Sequence, residues 1–198
     1  METQSPVYHD PQWYLANYEY DDSILTAIGN LLNHYTEKHG KTLVVRFDLR
    51  YPQAYSREIT NQDVSRCMAK IVQRYKRQGY DPYYIWVREQ VGSNHPHYHC
   101  CLFLNGNRVR SYNHVFQTAE SLWGSTLNLP AVGLVHHCTT NSQGIPHENG
   151  ILLRRSDENC QARFEDVQRQ TSYMAKAEGK ASPKDGLRNF GMSRIPSK

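Results

Sequence analysis

No apolar run in this 198-residue sequence approaches the ~20 residues that a membrane-crossing helix requires. The opening METQSPVYHDPQW has neither the basic head nor the apolar core of a secretory leader. The expectation is a cytoplasmic protein with no membrane partner. Cysteine is scarce: Cys67, Cys100, Cys101, Cys138 and Cys160 make an odd set of five with no CxxC spacing. That argues against a disulfide framework and for reduced thiols. A Gly-x-x-x-x-Gly-Lys-Ser/Thr loop is also missing, which excludes a fused helicase of the P-loop kind. Internal repeats and low-complexity tracts are absent. A net charge of +4 is too small on its own to demand a nucleic-acid partner.

The distribution of charge says more than its total. Residues 1–40 hold one Lys and six acids, residues 57–78 six basic residues and two acids, and residues 154–198 ten basic residues and six acids. Basic charge displaced from the N-terminal part suits a phosphate backbone. The candidate DNA contacts are Arg66, Lys70, Arg74 and Arg77 on one helix, with Arg46 and Arg50 on the strand before it.

Periodicity predicts the elements. Residues 22–40 read as a helix with a stripe of Ile24, Ile28, Leu31 and Tyr35, capped by Asp22 or Ser23 and ended by Gly40. TLVVRFDLRYP alternates, with Leu43, Val45, Phe47 and Leu49 on one side and Val44, Arg46, Asp48 and Arg50 on a polar side. A second helix follows, opened by a capping-box-like Thr60–Asp63 and closed by Gly79. YYIWVREQ and HYHCCLFLN read as a hairpin joined around Gly92-Ser93-Asn94. A short helix near 114–123, a strand VGLVHHCT, a loop, a strand ILLRR and a helix near 161–177 complete the order. Antiparallel strands mixed with helices predict an α+β fold. The expected organisation is an N-terminal arm and helix over 1–40 packed on the domain, a main domain over 41–178 and a basic, partly flexible tail over 179–198.

Histidine is concentrated in NHPHYHCC, where His95, His97 and His99 occupy alternate positions. On a strand His97 and His99 share a face. Two imidazoles need a further donor, and Glu89 on the preceding strand is the best placed, with His95 and Asp48 in reserve. Two His and a carboxylate, with positions left for water and substrate oxygens, suit Mg²⁺ or Mn²⁺ in phosphodiester chemistry. A zinc cluster from Cys100, Cys101, His136, His137 and Cys138 lacks the usual ligand spacing. Downstream, Tyr173 and Lys176 are three apart on the last helix, while Phe164, Val167, Thr171 and Met174 form its packed side. A phenol is a weak nucleophile until its developing charge is stabilised, which a neighbouring Lys can do.

The set PHYH at 96–99, the carboxylate Glu89, YMAK at 173–176 and the strand VVRFDLRYP resembles the HUH endonucleases in their single-tyrosine replication-initiator branch. Within it the chain is most similar to the initiators of filamentous phages (inoviruses), including the YagK/YfjJ group of prophage origin. Tyr98 is an aromatic middle residue where an aliphatic one is usual, and Arg169 and Ala177 leave no second tyrosine four positions from Tyr173. The resemblance implies a central antiparallel sheet of about five strands flanked by helices, as in RNA-recognition-motif-like folds. It also implies attack by Tyr173 on single-stranded DNA or an origin hairpin, giving a 5′-phosphotyrosine and a free 3′-OH. The expected role is rolling-circle replication of a phage or mobile element, with a host helicase and replication proteins as partners. The alternatives are a transposase or domesticated protein with the same chemistry, and a non-catalytic DNA-binding regulator on a degenerate HUH scaffold.

Overall fold

Alternation in the segment after the first helix produces the central strand of a six-stranded antiparallel sheet. The structure, a computed structural model, describes residues 14–16, 18–109, 111–140, 144–180 and 187–196. The elements in order are α1 (Asp22–Lys38), β1 (Lys41–Leu49), α2 (Gln62–Arg77), β2 (Tyr83–Glu89), β3 (His97–Asn105), α3 (Asn113–Leu127), β4 (Val135–His136), β5 (Ile151–Arg154), α4 (Cys160–Ser172), a single 3₁₀ turn (Tyr173–Ala175) and β6 (Phe190–Met192). The strands lie in the order β4-β1-β3-β2-β6, and β5 also pairs with β1. β1 and β2, joined through α2, flank β3, and β3 and β4, joined through α3, flank β1. These are two interlocked split β-α-β units, in an α+β fold.

Both faces of the sheet are covered. Leu43, Val45, Phe47 and Leu49 of β1, with Cys100, Leu102 and Leu104 of β3, meet Val64, Met68 and Ile71 of α2 and Phe116 and Trp123 of α3. On the other face Val44, Ile85, Val87, Cys101 and Phe103 meet Ile24, Leu31 and Leu32 of α1 and Phe164 and Val167 of α4. Each such large side chain, fully buried, contributes about 1.5–3 kcal/mol. α1 is therefore part of this core. The expected polar side of β1 is buried too: eight of its nine residues are buried, Arg46 and Asp48 among them. The sheet has no solvent-facing side over β1, so those two polar residues need internal partners.

Other expectations shift by local chemistry. The cap of α1 is Asp21, whose Oδ1 accepts from the Ser23 and Ile24 amides at 3.0 and 3.3 Å. No capping box forms at α2. Thr60 Oγ1 accepts from the Gln62 amide at 3.2 Å, and Asp63 accepts from the Tyr51 hydroxyl at 3.2 Å. The strand expected over 132–139 shrinks to Val135–His136, because Gly133 (φ 75°) and Cys138 (φ 48°) turn the chain away on either side. α3 extends to Leu127, where Asn128 adopts φ 57° and ends it. Part of the expected tail is a strand: β6 pairs along β2, with Ile85 opposite Met192 and Val87 opposite Phe190.

Candidate metal and nucleophile site

Register gathers the site at one end of the sheet. Glu89 lies opposite His97, Val87 opposite His99, and Asp48 opposite both His99 and His136. Because side chains alternate, Arg46, Asp48, Glu89, His97 and His99 all fall on the face shared with α1 and α4. That face is apolar along most of the sheet and carries its charged groups toward this end.

Glu89 is 4% exposed, and its two oxygens lie 3.4 Å from His97 Nε2 and 3.3 Å from His99 Nε2. One donor atom from each of the three residues lies within 4.8 Å of the others, a group able to hold a metal ion. His97 keeps one side of the group open, its side chain being 24% exposed. Asp48, a reserve ligand by sequence, has a different place. Its Oδ1 accepts from the other nitrogen of His99, Nδ1, at 2.7 Å. It thus fixes the tautomer that aims Nε2 at Glu89, the usual support of a metal-binding imidazole. His95 is elsewhere, with Nε2 3.2 Å from the Gln53 carbonyl and its ring beside Tyr51 and Tyr55.

Burial alone would raise both carboxyls. At Glu89 the hydrogen bonds of His97 and His99 and the charge of Lys180 outweigh burial and hold it well below the usual carboxylate range. At Asp48 burial is likewise outweighed, by His99 and then His136. His99 is pulled down by burial but raised above an ordinary imidazole by Asp48 and Glu89. The site is a largely buried, charge-coupled cluster.

The nucleophile candidate comes from the other side. Tyr173 begins the 3₁₀ turn after α4, and its ring centroid lies 5.5 Å from that of His99. Lys176 Nζ is 3.3 Å from the Tyr173 hydroxyl and 3.2 Å from Glu89 Oε1. The helix expected through 177 has already ended: Lys176 is extended, at ψ 133°, which lets its side chain reach both groups. The N-terminal segment holds this turn in place. The Asp21 amide donates to Ala175 O at 2.8 Å, the Ala177 amide donates to Glu19 O at 2.7 Å, and the Tyr18 ring meets Tyr173 edge-on at 6.1 Å.

Three contributors went unrecognised in the sequence. Lys180 Nζ lies 3.2 Å from Glu89 Oε2. Gly179 (φ 77°) makes that approach possible: its carbonyl takes the Gln90 amide at 2.9 Å, and an added Cβ would sit 2.9 Å from Glu89 Cγ. The Gly-Lys pair just after Tyr-x-x-Lys was the available signal. Asn149 fills the gap between β4 and β5, accepting from the Arg46 amide at 3.0 Å and donating to the Arg46 carbonyl at 2.7 Å. Only tertiary structure reveals that a side chain stands in for a strand there.

The basic residues separate into groups. Arg46 is buried; its guanidinium donates to Gln170 O at 2.6 Å and lies 5.6 Å from the Tyr173 ring centroid. It braces the turn and is not a free phosphate contact. Arg50 is exposed just beyond β1, at the site's end of the sheet. Arg66, Lys70, Arg74 and Arg77 belong to α2, which packs on the opposite face. Arg66 bonds Gln62 and Lys70 bonds Ser125 and Thr126. Arg74 and Arg77 are exposed near the far end of β3, where Asn105 bonds Tyr80. One continuous basic surface from α2 to the site is therefore not what the fold builds.

Comparison with known proteins places this arrangement in a group. No solved structure matches the chain. The uncharacterised protein YagK of Escherichia coli (strain K12) is 26% identical over 202 residues, covering 86% of this chain and 91% of the relative. Residues 3–193, and with them every residue of the site, match the YagK/YfjJ C-terminal domain, and the chain belongs to that family.

Proposed function

We propose that the protein cuts and rejoins single-stranded DNA through Tyr173, in a metal-dependent reaction serving rolling-circle replication of a phage or mobile element. One observation carries the reading. A phenol, an ammonium and a His-His-Glu donor group, supplied by a 3₁₀ turn and two strands, converge at one end of the sheet. The interlocked split β-α-β topology supports it, as the scaffold expected for such an enzyme.

Two imidazoles and one carboxylate fit a hard-to-borderline divalent ion, Mn²⁺ or Mg²⁺, held by Glu89, His97 and His99. Such an ion, when bound, supplies polarisation of a phosphate oxygen. The protein's own groups do the rest. Tyr173 Oη forms the new bond to phosphorus as the bond to the 3′ oxygen breaks. The phenol proton passes to solvent, and the departing 3′ oxygen takes one up. Lys176, charged and already 3.3 Å from Oη, stabilises the phenolate as it develops. Its ammonium is raised in pKa because Glu89 and Tyr173 outweigh the lowering by burial. Asp48 holds His99 in register throughout. The phosphotyrosine conserves the energy of the broken bond, so a 3′-OH returning to phosphorus rejoins the strand and frees Tyr173.

Incubation with Mn²⁺ and labelled single-stranded DNA carrying an origin hairpin tests this. The wild-type protein should yield a covalent adduct that survives denaturation and maps to Tyr173. Tyr173→Phe should bind the DNA without forming it, and His97→Ala should lose cleavage. An adduct mapping to another tyrosine, or none with any single-stranded substrate, would overturn the reading.

A further inference from the structure

We infer that Asp48, His136 and Cys138 form a second metal site, of the carboxylate–imidazole–thiolate kind that takes Zn²⁺. It does not rest on the nuclease reading, and it adjoins the His97–His99–Glu89 group through the hydrogen bond between Asp48 and His99.

Three different segments supply the donors: Asp48 from β1, His136 from the end of β4, and Cys138 from the turn that follows. Cys138 Sγ lies 3.4 Å from Asp48 Oδ1 and 3.6 Å from His136 Nδ1, and that nitrogen lies 3.6 Å from Asp48 Oδ2. With Zn–S near 2.3 Å and Zn–N or Zn–O near 2.0–2.2 Å, the edges of a tetrahedral site come to about 3.3–3.6 Å. The Cys138–His136 and His136–Asp48 Oδ2 separations fall at or close to that range, while the 3.4 Å contact of Cys138 is with the other carboxylate oxygen, Oδ1; one donor atom from each of the three residues lies within 4.8 Å of the others. The two sulfur contacts are also of hydrogen-bond length, but the 3.6 Å between His136 Nδ1 and Asp48 Oδ2 is long for an imidazole–carboxylate hydrogen bond, which settles nearer about 2.8 Å.

Backbone geometry points the same way. Cys138 is one of three non-glycine residues with positive φ among those described, at 48°. This uncommon conformation costs about 1 kcal/mol or more. It brings a buried thiol back over β1, where both partners lie. His147 hydrogen-bonds the Cys138 backbone beside the group, and its Nε2 is buried with no hydrogen-bond partner, although it is not one of the three clustered donors. His136 is 41% exposed, so one side of the group stays open to ions from solution.

The ligand types separate this site from the first. A thiolate selects softer ions such as Zn²⁺, whereas Glu89 with two imidazoles and open positions accommodates Mn²⁺. An ion here would tie the loop after β4 to the edge of β1. Asp48 would remain locked with one oxygen toward the ion and the other on His99 Nδ1, so the site would serve to position His99.

Cobalt substitution in the full-length protein, freed of metal by a chelator, is the test. Co²⁺ alone should bind with a thiolate-to-cobalt charge-transfer band in the near ultraviolet and strong visible bands of tetrahedral cobalt, at one equivalent. Zn²⁺ should abolish these bands. Cys138→Ser should lose the charge-transfer band, His97→Ala should retain it, and His136→Gln should weaken cobalt binding by tenfold or more. The exposure of His136 lets His136→Gln keep the fold even if Cys138→Ser does not. An absent thiolate band in the wild type, a band that persists in Cys138→Ser, or one lost in His97→Ala would overturn the proposal.

Discussion

At the scale of single residues, the most consequential neighbour of the candidate metal group is Lys180. Glu89 faces two ammonium groups, Lys176 and Lys180, each at 3.2 Å. They differ in character. Burial lowers Lys180 below an ordinary lysine despite Glu89, whereas Lys176 is raised. A divalent cation approaching Glu89 must compete with both. Two unit charges ~4 Å apart interact by about 4 kcal/mol at an effective dielectric near 20. Retreat of the flexible lysine relieves part of that repulsion. Lys180→Met should therefore tighten Mn²⁺ binding by about tenfold or more in a calorimetric titration, and weaker binding would show that Lys180 supports the site. Asp48 makes a similar point about legibility. The sequence places it on the same strand face as Arg46, but only the 2.7 Å contact with His99 Nδ1 makes it a support for an imidazole and not a ligand of the same ion.

At the scale of elements, the hairpin was legible because its signal is local. Alternation in YYIWVREQ and HYHCCLFLN, with a Gly-Ser-Asn turn between, sets the pairing that puts Glu89 opposite His97. β4 was misjudged because its length depends on two positive-φ residues that periodicity does not report. β6 went unseen because three residues on an edge strand carry almost no pattern; Gly191 lies against the Trp86 ring there, where a Cβ would come within 2.5 Å. The segment after the 3₁₀ turn depends on Gly179 in the same way. Gly179→Ala places a methyl group against Val91 and Glu89 in a left-handed backbone conformation. The expected cost is more than about 1 kcal/mol, read as a lower thermal midpoint. A second element-level contact joins the end of α1 to the start of β2. Asp81 lies 2.7 Å from both Lys38 Nζ and His39 Nε2. Burial raises its carboxyl, but Lys38 and His39 outweigh burial and the net shift is downward. A depressed carboxyl gives stability that is present above the unfolded value, near 3.9, and is lost as pH falls through the folded one. Asp81→Asn should cost up to about 1 kcal/mol at neutral pH. The difference from wild type should begin to shrink at about pH 4 and vanish as pH falls through the lower folded value; a difference independent of pH would remove the charge from the explanation.

At the scale of the molecule, a sheet covered on both faces decides which charges can act together. The sequence clusters six basic residues in 57–78, and linear reading joins them naturally to the histidine strand. The fold instead puts α2 and the His97–His99–Glu89 group on opposite faces, with the apolar layer of Val45, Phe47, Cys100 and Leu102 under α2. On the proposed reading, a strand of DNA that reaches Tyr173 would approach the end of the sheet where Arg50, Lys176 and Lys180 lie. Arg74 and Arg77 sit at the other end of β3. Each phosphate contact contributes close to one unit to the slope of log affinity against log salt, about 0.7 for a single strand. Arg50→Gln should reduce that slope by about one contact's worth for single-stranded DNA, and Arg74→Gln with Arg77→Gln should leave it unchanged. If instead the α2 pair flattens the slope and Arg50 does not, the DNA path crosses the α2 face. The tyrosine would then have to be reached around the edge of the sheet, past β4 or β6.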